Sequence, residues 1–551
     1  MSDKIDNKKD SVVILGAGIM QVPIIKSVNN MGLVSIVFDG NNNAIGKKLS
    51  NHFENIDLKD NDSLLAKCIS YNNICNIKAV FTAGTDFSYM VAWLSEKLGL
   101  KSISYETALK ATDKSLMRKA FLSAKVSSPL FFMTTDININ EDQVQKLGYP
   151  LVVKPVDSMG ARGTVKIHDF HHLKDAIKES IKFSRSGKVI VEQFLEGPEF
   201  SLDAVVKDGN IAICGIADRH IYFPPYFVEM GHTMPSSFPK EAVDKIINVF
   251  CDGIRAIGID NGAAKGDIKY SDGKATIGEI AARLSGGYMS GWTFPYSTGF
   301  SVIDAALKIA LDKDPGPIKY SYNKTAAERA FISIPGVVDS IYIPEYLRNR
   351  DTESIVKELF INVNPGDKVS FPKNNVEKSG NIIAVHKERS EAIYAAEEAC
   401  RNIIVKLKPC DETTFNFIFR EKEKWIPDAF IFNKIQRIKE IFDSMPDFYG
   451  KPDNLDLKEK IHVFLPDIIN TNEESFGTDW HGNPLKKAIE TIQNSTNLEF
   501  IKEISPKNRF ILGKIFWKSV ARGSVQGGIW IAETIADYIR NGSNLNSIKW
   551  E

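Results

Sequence analysis

The sequence predicts an α/β protein that opens with a Rossmann-like domain, continues into a two-lobed α+β region and ends in a mainly helical extension. Three observations carry that prediction. Residues 11–40 give a buried apolar run, a glycine turn, a helix and a second run ending at Asp39, which is the pattern of a βαβ unit. Residues 262–287 read as two short strands joined by a turn at 271–274, with Asp267 on the first and Glu279 on the second. Beyond Cys410, FILGKIFWKSV and GGIWIAETIADYI are dense in apolar residues. The second has Ile529, Ala532, Ile535, Ala536 and Ile539 in helical register.

The bulk properties set limits. A chain of 551 residues is too long for one core, and about three or four domains are expected. Lys+Arg and Asp+Glu both number 69, so net charge gives no support to nucleic-acid or acidic-membrane binding. The 6 cysteines are scattered without a CxxC pair, which favours free thiols in a reducing cytosol. The start, MSDKIDNKKD, has no apolar core for a signal peptide, and no run reaches the length of a membrane span. A cytoplasmic protein with no nucleic-acid or membrane partner is expected.

In the first domain, Gly16-x-Gly18 with Asp39 matches part of a dinucleotide fingerprint, but Gln21 stands at the third glycine position. Glycines that only make the turn are the favoured reading. A third strand ends at Gly84, Thr85 and Asp86, which either face a ligand or cap the helix from Phe87 to Leu98. A short strand near Ile103 follows. Thr112 or Asp113 then caps a helix with Leu116, Met117, Ala120, Phe121 and Ala124 on its apolar side. Lys114 sits at the wrong end of that helix for the dipole, and a bound anion would account for it.

Next, LVVK places Lys154 at a strand end. The loop with Ser158, Gly160, Arg162 and Gly163 lets backbone N–H groups approach phosphate oxygens, although GxxxxGK[ST] is absent. A plain hairpin with Arg162 in solvent is the competing reading. Residues 188–206 read strand, break, strand, and Glu199 offers oxygens to sugar hydroxyls. Residues 220–239 are aromatic and too proline-rich for regular structure, with His232 as a base or ligand contact. The helix after them carries Val243, Ile246, Ile247, Phe250 and Ile254 on one stripe.

In the 262–287 hairpin, Glu279, Ala281 and Arg283 share a face. A two-residue Asp-Gly turn sets Asp267 opposite Gly278 and sends Glu279 to the other face. A three-residue loop or a bulge restores the shared face. Two carboxylates and a guanidinium on one face suit a magnesium-phosphate site, whereas scattered charges on a solvated hairpin are the bland alternative.

The order of these pieces resembles the ATP-grasp superfamily over about residues 11–407, and most closely its carboxylate-amine ligases, amino-acid ligases among them. VFTAGTD, ATDKSLMRKAF, LVVKP, VEQFLEGPEFS, FVEMGHTMPS and EIAARLSGG carry the resemblance. It implies a Rossmann-like domain over 1–106 and an ATP-grasp domain over 107–320, with a small lobe over 113–187. A β-rich closing subdomain over 321–408 and the helical extension over 409–551 complete the expected organisation. By the same resemblance, Lys114 and Lys154 contact ATP phosphates under the loop of Ser158, Gly160, Arg162 and Gly163. Glu192, Gln193, Phe194 and Leu195 form the adenine hinge, and Glu199 holds the ribose. Asp267 and Glu279 bind Mg2+, with Mn2+ as an option, and Arg283 steadies the γ-phosphate. Relatives often carry Asn at the position of Ala281, which puts a second metal ion in doubt. The N–H groups of Ser285, Gly286 and Gly287 are candidates for a substrate carboxylate.

The implied reaction joins a small-molecule carboxylate to an amine through an acyl phosphate, releasing ADP and phosphate. A homodimer is one assembly option. Competing functions are a bicarbonate-using carboxylase of the same fold, a nicotinamide oxidoreductase, and a non-catalytic nucleotide-binding protein. After 321, ERAFISIPG, ELFINVNPGDKVS and GNIIAVHK give short strands before a closing helix with Ile393, Ala396, Cys400, Ile403 and Ile404 on one side. In the extension, RGSVQGG reads as a glycine turn between packed helices rather than an anion site, and Asp479-Trp480-His481 as a polar cluster without an evident partner.

Overall fold

A computed structural model describes residues 8–420, 425–432, 436–450, 460–467, 469, 476–504, 510–542, 545, 548 and 550. The polar start lies outside the described residues as far as residue 7. The chain divides into two compact units, Met1–Glu328 with Val385–Ile393, and Arg329–Ala384 with Tyr394–Glu551. Among the described residues no helix is long and apolar enough to cross a membrane.

The first unit opens with strands β1 (Asp10–Leu15), β2 (Val34–Phe38), β3 (His52–Glu54) and β4 (Asn76–Phe81), parallel in the order β3-β2-β1-β4. Their apolar runs are buried, as a sheet covered on both faces requires. The glycine turn after β1 is filled from within. The Ala17 N–H donates to Asp39 Oδ2 at 2.6 Å, and Gln21 packs over Gly16 and donates to the Ala83 carbonyl at 2.5 Å. The acid and the turn that a dinucleotide would use are thus spent on each other. The expected strand near Ile103 does not form: Ser104 caps the helix Tyr105–Thr112, accepting from the Thr107 N–H, and Ile103 is buried in the loop before it.

A small antiparallel sheet follows, with β5 (Phe131–Thr134), β6 (Leu151–Pro155), β7 (Val165–Ile167) and β8 (Val189–Gln193) in the order β5-β8-β6-β7. The larger sheet runs β13-β12-β9-β10-β11 through β9 (Glu199–Lys207), β10 (Asn210–Tyr222), β11 (Val228–Met234), β12 (Gly262–Ser271) and β13 (Lys274–Ala281). The segment expected to be irregular over 220–239 therefore ends β10 and forms β11. Its prolines fall outside the strands, at 224, 225, 235 and 239, and VEMGHTM is buried throughout. The helix Lys240–Ile257 lays Ile246, Phe250, Ile254 and Ile257 on this sheet. Contact is close enough that a Cβ on Gly253 would lie 2.4 Å from Ile280 Cδ1.

The boundary between units falls within β14 (Thr325–Phe331). The second unit holds β15 (Gly336–Tyr342), β16 (Val356–Ile361), β17 (Lys368–Val369), most of β18 (Gly380–His386), and β19 (Ile404–Leu407). The extension adds β20 (Phe448–Gly450), β21 (Ile461–Phe464), β22 (Leu498–Ile501) and β23 (Phe510–Leu512), a sheet in the order β20-β23-β21-β22. That sheet corrects the helical expectation: Phe510-Ile511-Leu512 is a strand, and the helix Lys514–Arg540 begins only after Gly513. A three-residue apolar run carries no period to distinguish strand from helix.

The helix Lys514–Arg540 breaks at Ser524, with φ 48°. A Cβ on Gly527 would lie 2.1 Å from the Ser519 carbonyl oxygen, so RGSVQGG is a corner too tight for side chains. Ser524 Oγ donates to Asp479 Oδ2 at 2.5 Å, and Trp480 packs edge-on to Phe371 at 4.9 Å. His481 Nε2 accepts from the Ile332 N–H at 3.1 Å, and Gln526 Oε1 accepts from the Ile334 N–H at 3.1 Å. His481 of the Asp479-Trp480-His481 cluster and Gln526 of the long helix thus accept the N–H groups of Ile332 and Ile334, so the extension braces the β-rich segment.

Candidate functional site

The site begins with a register. Asp272 (φ 52°) and Gly273 (φ 76°) make a two-residue turn that pairs Ser271 with Lys274. That turn alone would set Asp267 opposite Gly278. A bulge intervenes: Ile268 pairs with Ile277 while Asp267 pairs with Glu279, leaving Gly278 as the extra residue. The two carboxylates therefore stand opposite each other, through the bulge rather than a longer loop. Neighbouring strands extend this polar face. Ser201 on β9 pairs with Asp267, Asp203 with Lys265, and Glu199 with both Lys269 and Arg219.

Cations surround the acids. Asp113 caps the helix Lys114–Ser123 by accepting from the Ser115 and Leu116 N–H groups. The buried stripe of that helix is Lys114, Met117, Arg118 and Phe121, whereas Leu116, Ala120 and Ala124, expected inward, are exposed or half-buried. Lys114 Nζ lies 3.7 Å from Glu279 Oε2 and donates to the Ser158 carbonyl at 2.8 Å. Lys154 Nζ lies 2.6 Å from Glu192 Oε2, and Arg118 Nε donates to Glu192 Oε1 at 2.7 Å. Burial pushes the Glu192 carboxyl up, but Arg118 and Lys154 outweigh it and hold the group at about 2. The Glu192 side chain is therefore the counter-ion of Lys154 and Arg118. Arg283 is buried. Its Nε donates to the Thr85 carbonyl at 2.9 Å, and burial pushes its pKa down against the pull of Glu279 and Asp267.

The glycine loop is tied down. Arg162 Nε donates to the Met159 carbonyl at 2.9 Å, and its Nη2 lies 3.3 Å from Asp86 Oδ2, so Arg162 is not a solvent residue. Arg185 Nη2 stands 3.8 Å from the same oxygen. The loop after β4 thus holds Arg283 through Thr85 and the glycine loop through Asp86. Asp86→Ala is expected to speed tryptic cleavage after Arg162 several-fold, read by timed digestion, and Asp86→Glu to restore protection.

At the expected adenine hinge, the Gln193 N–H donates to the Leu130 carbonyl and the Phe194 N–H to the Pro150 carbonyl, both at 3.0 Å. Neither amide is available to a base. Lys166 Nζ sits 3.6 Å and Lys269 Nζ 4.8 Å from the Phe194 ring centroid, making one wall cationic. Glu199 is engaged by Arg219, which also lies 2.8 Å from Glu229 and 3.1 Å from Asp267.

His232 is buried, with Nδ1 3.1 Å from Glu328 Oε2 and Nε2 3.5 Å from Glu229 Oε2. A Cβ on Gly287 would lie 2.6 Å from Glu229 Oε1 and 3.0 Å from His232 Cε1. Of the three residues expected to offer N–H groups to a carboxylate, Ser285 has its N–H already engaged, and Gly286 and Gly287 sit in close quarters. The Ser285 N–H and Oγ are bound to Asp203 Oδ1 at 3.0 and 2.7 Å, Gly286 packs on Gly84, and Gly287 faces an acid.

Asp203 is buried, and its Oδ2 has no hydrogen-bond partner, so burial pushes its carboxyl up to about 6 from an ordinary 3.8. The folded state then binds more protons than the unfolded one between about pH 4 and 6, and stability falls as pH rises through that window. Asp203→Asn, which keeps an acceptor for Ser285, is expected to remove that slope, worth up to about 3 kcal/mol, in urea unfolding at pH 4, 5, 6 and 7.

Arg118, Arg219, Glu229, Lys166 and Lys265 were not singled out by sequence. Arg118 had a signal: it follows Lys114 by four residues, on the same helical face.

Residues 147–291 match the model of the ATP-grasp domain, and residues 330–408 match that of the L-amino acid ligase C-terminal domain 2. The chain carries an ATP-grasp domain over residues 147–291 in an ATP-grasp fold, and proteins similar to it are named as ligases. It is 25% identical over 243 residues to an L-arginine-specific L-amino acid ligase of Bacillus subtilis, covering 43% of this chain and 57% of that one. It is 24% identical over 251 residues to the alanine–anticapsin ligase of Bacillus subtilis strain 168, covering 41% and 53%. The chain thus spans little more than half the length of these two curated relatives. An L-amino acid ligase structure from Bacillus licheniformis superposes with a TM-score of 0.62 at 21% identity, covering 73% of this chain and 100% of that one.

Proposed function

We propose that the chain is an ATP-dependent carboxylate-amine ligase of the amino-acid type, forming an amide or peptide bond through an acyl phosphate. The observation that carries this reading is the bulge-aligned pair Asp267 and Glu279, with Lys114 at 3.7 Å from Glu279 and Arg219 at 3.1 Å from Asp267. Two opposed carboxylates are a hard oxygen donor set of the kind that holds Mg2+ together with phosphate oxygens. Asp267 and Glu279 would hold that ion, or Mn2+, and once bound it supplies charge neutralisation at the triphosphate.

The remaining roles belong to side chains. Lys114 and Lys154 attract the phosphates of ATP, and the loop of Ser158, Gly160, Arg162 and Gly163 covers them and keeps water out. Phe194, Leu195 and the Lys166 and Lys269 side chains border the base, and Glu199 borders the ribose. Arg283 stabilises the γ-phosphoryl group as the acid's oxygen attacks phosphorus and the bond to ADP breaks. The amine nitrogen then attacks the acyl carbon, phosphate leaves, and a proton is lost from nitrogen. Glu229 and His232, beside Gly287, would hold the incoming ammonium and take its first proton, so that a neutral amine attacks; the second proton is the one lost from nitrogen as phosphate leaves.

A phosphate-release screen over pairs of amino acids and small acids tests the reading. ADP and phosphate released in equal amounts, dependent on both an acid and an amine, is expected. Release with bicarbonate and no amine would contradict it.

A further inference from the structure

A cavity of about 60 Å3 lies between the end of β4 and the start of β12. Val80, Phe81, Ile103, Leu284 and Ile309 give it an apolar lining, and Arg283 stands in its wall. None of Lys114, Lys154, Glu229, His232, Asp267 or Glu279 lines it, so it is separate from the acids and lysines described above. Its polar lining includes Lys101, Ser102 and Asn261. Lys101 Nζ lies 3.0 Å from Asp208 Oδ1 and 2.6 Å from Asp312 Oδ1, and Lys207 Nζ lies 3.5 Å from the same Asp312 oxygen. Two cations and two anions therefore sit together at this side of the cavity, all partly exposed to solvent. Asn261 Oδ1 accepts from the Asp208 N–H at 3.2 Å. Among the described residues, neither the Asn261 NH2 group nor the Ser102 hydroxyl has a hydrogen-bond partner. The Lys101 ammonium has three protons and two acids to meet, so one donor is left over.

We propose that this cavity binds an aliphatic α-amino acid with a branched side chain of valine or leucine size. The side chain fills the apolar part, the carboxylate meets Lys101, Ser102 and Asn261, and the ammonium meets Asp208 and Asp312. Size supports this, since the volume holds about four to six water-sized groups, enough for a branched chain of about three or four carbons. Charge supports it as well. A simple anion would face two aspartates and a simple cation two lysines, whereas a zwitterion matches both signs at once. An apolar pocket with a few polar groups to fix orientation is the usual form of a small-molecule site. Because Arg283 stands in the wall, an occupant bears on the residue proposed to steady the γ-phosphoryl group, which makes this a place for an effector. That consequence rests on the ligase reading; the binding itself does not.

The test is isothermal titration of leucine into the full-length protein without nucleotide. Saturable binding is expected. Ala310→Leu, which fills the cavity from the end of the helix Val302–Ala310, should abolish it. Lys101→Met should weaken it about tenfold or more by removing the partner of the carboxylate. The ion pairs of Lys101 are partly exposed and add little stability, so this variant carries the test even where Ala310→Leu does not fold. 4-Methylpentanoate, which lacks the ammonium, and 3-methylbutylamine, which lacks the carboxylate, should each bind about tenfold more weakly than leucine or worse. No binding at about 10 mM leucine would overturn the proposal. So would unchanged binding to a folded Lys101→Met chain, as expected of leucine seated elsewhere, or equal binding of 4-methylpentanoate. Each of these outcomes leaves the phosphate-release screen untouched, so the ligase reading stands or falls separately.

Discussion

Glu279→Ala and Lys154→Ala are each expected to lower acid- and amine-dependent phosphate release by about 10²–10³-fold or more without unfolding the chain. The reason differs between them. Glu279 stands across the ladder from Asp267 and 3.7 Å from Lys114, so its loss removes half of the donor set proposed for the metal ion. Lys154 lies at the end of β6 next to Pro155, and its loss removes a point charge from the proposed phosphate site. Neither change cuts a large hole in the apolar core, so far-UV circular dichroism should match the parent protein. Near-normal release by Glu279→Ala would remove the metal role assigned to it.

Glu192→Gln is expected to destabilise the fold by about 3–5 kcal/mol, because it strips the counter-ion from two buried cations. Arg118 is fully buried and Lys154 is 14% exposed, so water cannot replace the lost charge. The pH dependence has a definite sign. The Glu192 carboxyl titrates at about 2 when folded, below its ordinary 4.5. Its contribution is therefore complete above about pH 4.5 and is lost as pH falls toward 2. Urea unfolding of the parent and of Glu192→Gln at pH 3 and pH 7 should show a smaller gap at pH 3. An equal gap would show that the charge is not the cause.

Much of this was legible because it lies in local pattern. The βαβ start, the Lys114 helix with its Asp113 cap, the Lys154 strand and the Asp267–Glu279 hairpin all announce themselves through periodicity and turn residues. The bulge did not, since Gly278 fits a plain ladder equally well in sequence, and only pairing decides which face Glu279 takes. Partnerships were hidden for a different reason. Glu192 with Arg118, Arg219 with three acids, and Asp86 with Arg162 join residues far apart in the chain, and a side chain's spacing says nothing about what it meets across a sheet. Gln21 shows the reverse case: the residue that spoiled the dinucleotide fingerprint turns out to fill the turn itself. In the extension, Phe510-Ile511-Leu512 was too short for its period to be read, so the small sheet there became visible only in three dimensions.

The most direct test of the account is the fate of oxygen. With an acid labelled by 18O in its carboxylate, its amine partner and ATP, the released phosphate is analysed by mass spectrometry. Activation through an acyl phosphate predicts one 18O atom in each phosphate formed with product. Product accompanied by unlabelled phosphate would mean that the carboxylate never attacked the γ-phosphorus, and would contradict the account.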